Sequence, residues 1–232
     1  MGDLMQYQVL ATDYDGTIAH DGVVDAPTVA ALTRARDSGM HLFLVTGREL
    51  NDLFVTFPQW KLFHRIVAEN GALLFNTVTE ESRLIAPAPP EAFVDRLKKQ
   101  GVPLTVGRSI VATVEPHEQA VLAAIRDLGL EWHIIFNKGS VMALPSGVNK
   151  ASGLNALLTE MQIPASEVVA AGDAENDIAF LQAAGFPVAV ANALPSVKAV
   201  ARLVTQGARG AGVAELIDRL LEKSNEKGSS QS

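Results

Sequence analysis

The sequence predicts an α/β protein: a doubly wound, Rossmann-like parallel-sheet core carrying an inserted α+β unit. Three observations lead there. Apolar strand patterns alternate with helical patterns over roughly residues 1–81, the same alternation returns after residue 147, and the stretch between them follows a different order.

Tyr7 to Thr12 reads as a buried strand, Ala26 to Ser38 as a helix ended by Gly39, His41 to Val45 as a strand, and Glu49 to Phe57 as a helix ended by Pro58. A strand at Arg65 to Ala68 runs through Glu69-Asn70-Gly71, a hairpin signal, into Ala72 to Phe75. After the middle stretch come a helix at Ala151 to Met161, a strand at Glu167 to Ala171 and a helix at Asn176 to Ala183. A strand at Pro187 to Val190 and a helix at Val213 to Glu222 complete the series. These segments, 1–81 and 147–223, make one core, and 224–232 reads as a polar, frayed tail.

Residues 82–146 open with Pro87, Pro89 and Pro90. They continue as helix (Glu91 to Gln100), extended runs (Leu104 to Val106, Ile110 to Val114), helix (His117 to Leu128) and paired strands (Trp132 to Phe136, Ser140 to Leu144). Two helices on a small, mostly antiparallel sheet form a compact insert that either elaborates the core or covers its strand ends as a lid.

Composition narrows the function classes. With 232 residues and 48% hydrophobic content the chain builds a core without staples. The absence of cysteine excludes disulfides, thiolate catalysis and Cys-ligated zinc, and leans toward a cytoplasmic location. A formal charge of -7 without a basic cluster argues against nucleic acid, and no run approaches a membrane span. Nothing suggests export, and Met1-Gly2 is no myristoylation signal because Gln6 stands where that motif requires Ser or Thr.

Three apolar runs end in polar residues: Val9-Leu10-Ala11 before Asp13, Leu42 to Val45 before Thr46, and Val168 to Ala171 before Gly172-Asp173. In a parallel sheet these ends share one edge, which places distant residues in one pocket. Asp13, Asp15, Asp173 and Asp177 together cost several kcal/mol at an effective dielectric of about 20 unless cations compensate them. A divalent ion is implied, and oxygen-only ligands point to magnesium (Mg2+). Lys150 is the other cation at hand.

Asp13-Tyr14-Asp15-Gly16-Thr17, Thr46-Gly47-Arg48, Asn149-Lys150 and Gly172-Asp173-Ala174-Glu175-Asn176-Asp177 resemble the four ordered motifs of the haloacid dehalogenase superfamily. An insert between the second and third motifs is similar to the cap of its type IIB, Cof-like branch, and Glu69-Asn70-Gly71-Ala72 resembles a segment common there. The resemblance implies a magnesium-dependent phosphatase of small phosphomonoesters, such as sugar phosphates, working through an aspartyl-phosphate. By motif, Asp13 is the nucleophile and Asp15 the acid and base, whose presence separates phosphoryl chemistry from dehalogenation. Thr46 and Lys150 bind the phosphoryl group, with Gly47, Arg48 and Asn176 beside it. The implied metal set is Asp13, Asp15 (through its backbone carbonyl), Asp173, Asn176 and Asp177. Alternatives are a phosphotransferase or mutase of the same family and a non-catalytic phosphate-ester-binding regulator. The expected partner is a small phosphorylated metabolite, and the chain is expected to be a monomer or homodimer.

Weaker signals carry plainer readings. Arg48 serves either a substrate anion or a structural ion pair. Asn137 and Lys138, at a predicted turn of the insert, either touch substrate or form an ordinary exposed hairpin, the plainer reading, and the five histidines read as structural. Gly207 to Gly212 fits neither phosphate-loop pattern, and Ile18 stands where an EF-hand requires glycine.

Overall fold

The computed structural model describes residues 7–228. The chain runs β1 (Val9–Thr12), α1 (Ala26–Asp37), β2 (His41–Val45), α2 (Leu50–Thr56), β3 (Arg65–Ala68), β4 (Leu73–Asn76) and β5 (Ser82–Leu84). It then makes α3 (Glu91–Lys99), β6 (Thr105–Val106), β7 (Val111–Val114), α4 (Glu118–Asp127), β8 (Trp132–Asn137) and β9 (Ser140–Pro145). It ends with α5 (Lys150–Met161), β10 (Val168–Gly172), α6 (Ile178–Ala183), β11 (Phe186–Ala189), α7 (Pro195–Val200), β12 (Leu203–Val204) and α8 (Arg209–Gly228).

The large sheet has the order β12-β11-β10-β1-β2-β3-β4-β5, parallel from β12 to β3 and antiparallel in its last two strands. The central strands β1 and β10 are buried throughout, as continuous apolar runs covered on both faces must be. From β1 the chain winds one way through β2 and β3, and from β10 it winds the other way through β11 and β12. The switch point therefore lies between β1 and β10, in register Val9 to Val168 and Thr12 to Ala171. A crevice opens there outside the carboxyl ends of the two strands.

The second sheet, β6-β7-β9-β8, is wholly antiparallel. Its residues alternate with period two: Val111, Val141 and Ala143 face α3 and α4 with Phe93, Leu97 and Val121. Met142 and Leu144 face the other way, packing with Ile110, Ala72 and Ala86. One face thus carries its own core and the other is turned to the large sheet.

Several short elements differ from the sequence reading. β5, three exposed residues, extends the core sheet into the stretch assigned to the insert. β12 and α7, two and six residues long, are not among the elements read from the sequence. α8 begins at Arg209 and runs to Gly228, past its expected end at Glu222, so 224–228 continue this helix. Residues 229–232 of the expected tail and the Met1-Gly2 start lie outside the described residues. No described helix is long and apolar enough to cross a membrane.

The β2–β3 edge contains a titratable contact. Burial, then the neighbouring His41 and the Arg36 and Arg65 guanidiniums, push His64 below its ordinary pKa. Its Nδ1 accepts the Leu42 N–H at 3.1 Å, which requires a free lone pair on that nitrogen. The unfolded chain therefore takes up the proton more readily than the folded one, and stability falls with acidification. This contribution is complete above the ordinary value of 6.5 and is lost as pH drops below it. Tm measured between about pH 7.5 and 5.5 should fall, and His64→Asn, which keeps an acceptor but no titration, should flatten the slope. An equal slope in the variant would remove His64 as its source.

Candidate active site

Asp13 leaves the end of β1, held by its N–H to Ala171 O at 2.9 Å, and is buried. Asp173 and Asp177 follow β10 and are fully buried. Carboxylate oxygens of these three residues lie within 4.8 Å of one another. Such crowding requires cations, and Lys150, at the first turn of α5, supplies one. Its Nζ donates to Asp13 Oδ1 at 2.5 Å and to Asp177 Oδ1 at 2.6 Å. Burial alone lowers the pKa of the Lys150 ammonium, but Asp13 and Asp177 outweigh it and hold it above its ordinary value. Burial and then repulsion from Asp177 push Asp13 up, with Lys150 offsetting part of the effect.

The other oxygens divide into committed and free. Asp177 Oδ2 accepts the N–H groups of Asp173 and Ala174 at 2.8 and 3.0 Å, so both Asp177 oxygens are engaged, Oδ2 by the turn and Oδ1 by Lys150. Asp173 Oδ1 accepts the Thr17 hydroxyl at 3.0 Å. Asp13 Oδ2 takes no hydrogen bond among the described residues, which leaves one carboxylate oxygen for chemistry or a cation. Asn176 Oδ1 is buried without a partner, while its amide donates to Asn70 Oδ1 at 3.1 Å. A buried cluster of oxygen donors, short of positive charge and with an orphaned acceptor beside it, fits a divalent metal ion.

Asp15 is placed differently from the other acids. Arg48 Nε and Nη2 grip its two oxygens at 2.7 and 2.8 Å, and Nη1 reaches Asp52 at 2.6 Å. The guanidinium also lies over the Tyr14 ring, 5.2 Å from its centroid. Of the two readings for Arg48, this geometry is the ion pair. Thr46 is buried at the end of β2, and its Oγ1 accepts the Arg48 N–H at 3.1 Å, so its hydroxyl proton remains free to donate. Gly16 has φ +89°, and a Cβ there would stand 2.4 Å from Asp173 Oδ2, so only glycine lets the first loop pass this close.

The sequence-predicted residues thus meet at the switch point: Asp13, Asp15, Thr46, Gly47, Arg48, Lys150, Asp173, Asn176 and Asp177 all converge there. Two further groups join them that the plainer sequence readings leave outside the site. Glu69, read as part of a hairpin turn and of a segment resembling the Cof-like branch but given no role, is buried, and its carboxylate accepts the backbone N–H groups of Arg108, Ser109 and Ile110 at 3.0, 2.8 and 3.2 Å. Lys138, for which an exposed turn is the plainer reading and a substrate contact the alternative, reaches across to the core, and its Nζ ion-pairs with Asp173. An Asn-Gly hairpin signal masked the first, and no local pattern marks the second. A cavity of about 730 Å³ separates the two sheets, with Asp13, Asp15, Gly16 and Arg48 on the core wall and Ile110, Lys138 and Met142 on the opposite wall.

A family profile described as haloacid dehalogenase-like hydrolase matches residues 10–122 and 111–217. A phosphoglycolate phosphatase of Methanothermobacter thermautotrophicus is 34% identical over 224 residues, covering 92% of this chain and 99% of that one. A haloacid dehalogenase-like hydrolase from Bacteroides thetaiotaomicron shares the fold with a TM-score of 0.78 at 20% identity, over 92% of this chain and 99% of that one. A sugar phosphatase of subclass IIB superposes with a TM-score of 0.74 at 21% identity, over 91% and 98% of the two chains.

Lys150→Met should cost about 3–5 kcal/mol of stability, because it strips the cation from two buried carboxylates. Adding Asp177→Asn should recover part of that loss, since one unpaired charge then disappears. Urea unfolding of both variants is the measurement, and a loss under about 1 kcal/mol in the single variant would show that the ammonium is not the compensating charge.

Proposed function

The chain belongs to the haloacid dehalogenase-like hydrolases, and from that premise we propose that it is a phosphatase hydrolysing small phosphomonoesters through an aspartyl-phosphate formed on Asp13. The observation that carries the reading is the buried Asp13, held on one oxygen by Lys150, free on the other, and flanked by Asp15 and Asp173 at the switch point.

Asp13 Oδ2 attacks phosphorus as the ester oxygen departs on the far side, and a new Oδ2–P bond replaces the P–O bond to the alcohol. Lys150 stays on Oδ1, orienting the nucleophile and offsetting the charge that gathers on the transferring group. Thr46 donates its hydroxyl to a phosphoryl oxygen, and the Gly47 backbone lies alongside. Asp15 protonates the leaving oxygen and then takes a proton from the water that attacks the aspartyl-phosphate. Arg48 holds both Asp15 oxygens, so it is the positioning residue for this step, and one of its two bonds must open when the leaving oxygen arrives. Asp13, Asp173 and the Asp15 carbonyl would hold magnesium, which when bound neutralises the carboxylate cluster and the phosphoryl oxygens. Asp177 braces Lys150 and the motif turn, and Asn176, oriented by Asn70, completes the surroundings.

The insert beyond β5, residues 85–146, serves as a cap whose open sheet face closes the cavity against water. With an acid–base residue, Asp15, beside the nucleophile and no built site for a second acceptor among the described residues, hydrolysis is favoured over transfer. Phosphoglycolate, the substrate in the name of the Methanothermobacter relative, is the first ester to assay.

Asp13→Asn should abolish phosphate release and leave the fold intact. Asp15→Asn, given an activated aryl phosphate that needs little acid help, should accumulate phosphate on Asp13. Mass spectrometry of rapidly quenched protein reads both: an adduct on the Asp13 peptide is expected in Asp15→Asn and none in Asp13→Asn. No adduct at any time would replace the covalent route with direct attack by water. Phosphate release should also stop with excess chelator and return with magnesium more fully than with calcium, whose looser shell misplaces the phosphorus. Full turnover in chelated buffer would rule out the metal.

A further inference from the structure

Lys138 stands at the tip of the β8–β9 hairpin with φ +47°, and its ammonium crosses from the cap to Asp173 on the core. It comes to rest beside the first loop, where a Cβ on Gly16 would lie 2.5 Å from Nζ. The rest of the cap's wall in the cavity, from Thr105 through Met142, is apolar or uncharged, so Lys138 is its one charge. Among the core's cations, Arg209 at the start of α8 also lines the cavity. Arg48 is committed to Asp15 and Asp52, and Lys150 is buried beneath Asp13.

The ammonium has three N–H donors, and its bond to Asp173 uses one. Asp173 keeps the Thr17 hydroxyl when Lys138 turns to a ligand, and in the proposed function it gains the metal as well. Distance then limits what Lys138 can read. Carboxylate oxygens of Asp173 and Asp13 lie within 4.8 Å, so phosphorus at Asp13 sits only a few bonds from the ammonium. A carboxylate on the carbon that bears the ester oxygen fits this span, whereas the hydroxyls of an uncharged alcohol make no charge-assisted bond there.

We propose that Lys138 is a specificity-determining residue that selects phosphomonoesters of short 2-hydroxy acids by pairing its ammonium with the substrate carboxylate. This rests on the phosphatase reading of the site and adds to it the group that recognises the leaving alcohol.

The test separates recognition from turnover. In magnesium buffer, 3-phosphonopropionate and propylphosphonate, which present the same non-hydrolysable head with and without a carboxylate, are titrated calorimetrically into wild type, Lys138→Met and Lys138→Arg. Wild type should prefer the carboxylated ligand by about 10-fold or more, Lys138→Met should lose that preference, and Lys138→Arg should restore most of it. In turnover, the kcat/KM ratio of 2-phosphoglycolate over ethyl phosphate should fall in Lys138→Met, chiefly through KM. A preference that survives in Lys138→Met, or that disappears only in Arg209→Met on the far rim, overturns the proposal. Equal loss for both ligands does so too, because it marks a structural role. If wild type hydrolyses neither ester yet binds the phosphonates with the expected preference, the phosphatase reading fails and the recognition stands. If it hydrolyses both esters equally well, the reading stands and the role of Lys138 falls.

Discussion

The rest of the site depends on one buried ammonium. Lys150 ties Asp13, at the end of the first strand, to Asp177, after the tenth, across 137 and 27 residues of sequence. Without it, three buried carboxylates within 4.8 Å would repel one another with only Lys138 to offset them. With it, β1 and β10 can end side by side in polar residues, which is what a doubly wound sheet needs if its switch point is to become a reactive crevice. The capping box at Asn149 and Ser152 sets the start of α5, and so fixes where the Lys150 side chain begins its reach.

The position of α5 depends in turn on the turn between β3 and β4. A Cβ on Gly71 would lie 2.0 Å from Asn149 O, so the turn and the helix start are in backbone contact. Its neighbours Glu69 and Asn70 both take φ +51°, a conformation that costs non-glycine residues about 1 kcal/mol or more each. The offset is visible in what they hold. Their N–H groups bond the carbonyls of Arg48 and Thr46, Glu69 clasps three backbone N–H groups of the cap, and Asn70 orients Asn176. This single turn therefore touches the second, third and fourth motifs and the cap at once, and movement of the cap about Glu69 would be felt at Thr46 and Asn176.

What the sequence reveals follows from how local the signal is. Asp13 and Asp173 were legible because continuous apolar runs announce buried parallel strands, and strand ends in such sheets share an edge. Lys150 looked like any lysine at a helix start, and only its place among ordered motifs singled it out. The β5 and β12 strands were invisible because two or three residues show no period. The role of Glu69 stayed hidden, and the plainer reading of Lys138 won in the sequence, for a deeper reason. Each acts across a gap between the two sheets, and no pattern within either strand pair reports which way the pairs face each other.

That gap gives the electrostatics its division of labour. Each acid of the cluster meets a cation from a different part of the chain: Asp15 meets Arg48 from the loop after β2, Asp13 and Asp177 meet Lys150 from α5, and Asp173 meets Lys138 from the cap. The first two sets belong to the core and persist whatever the cap does. The third spans the core and the cap, and its lysine side chain remains 48% exposed while Asp173 is fully buried. A buried carboxylate cannot lose its partner without replacement, so any departure of Lys138 must be matched by another positive charge at Asp173. In the proposed function, cation binding on the core and the freedom of Lys138 to meet a substrate are thereby coupled through one oxygen pair, so the charge that completes the acid cluster would be the charge that frees Lys138 for the ligand.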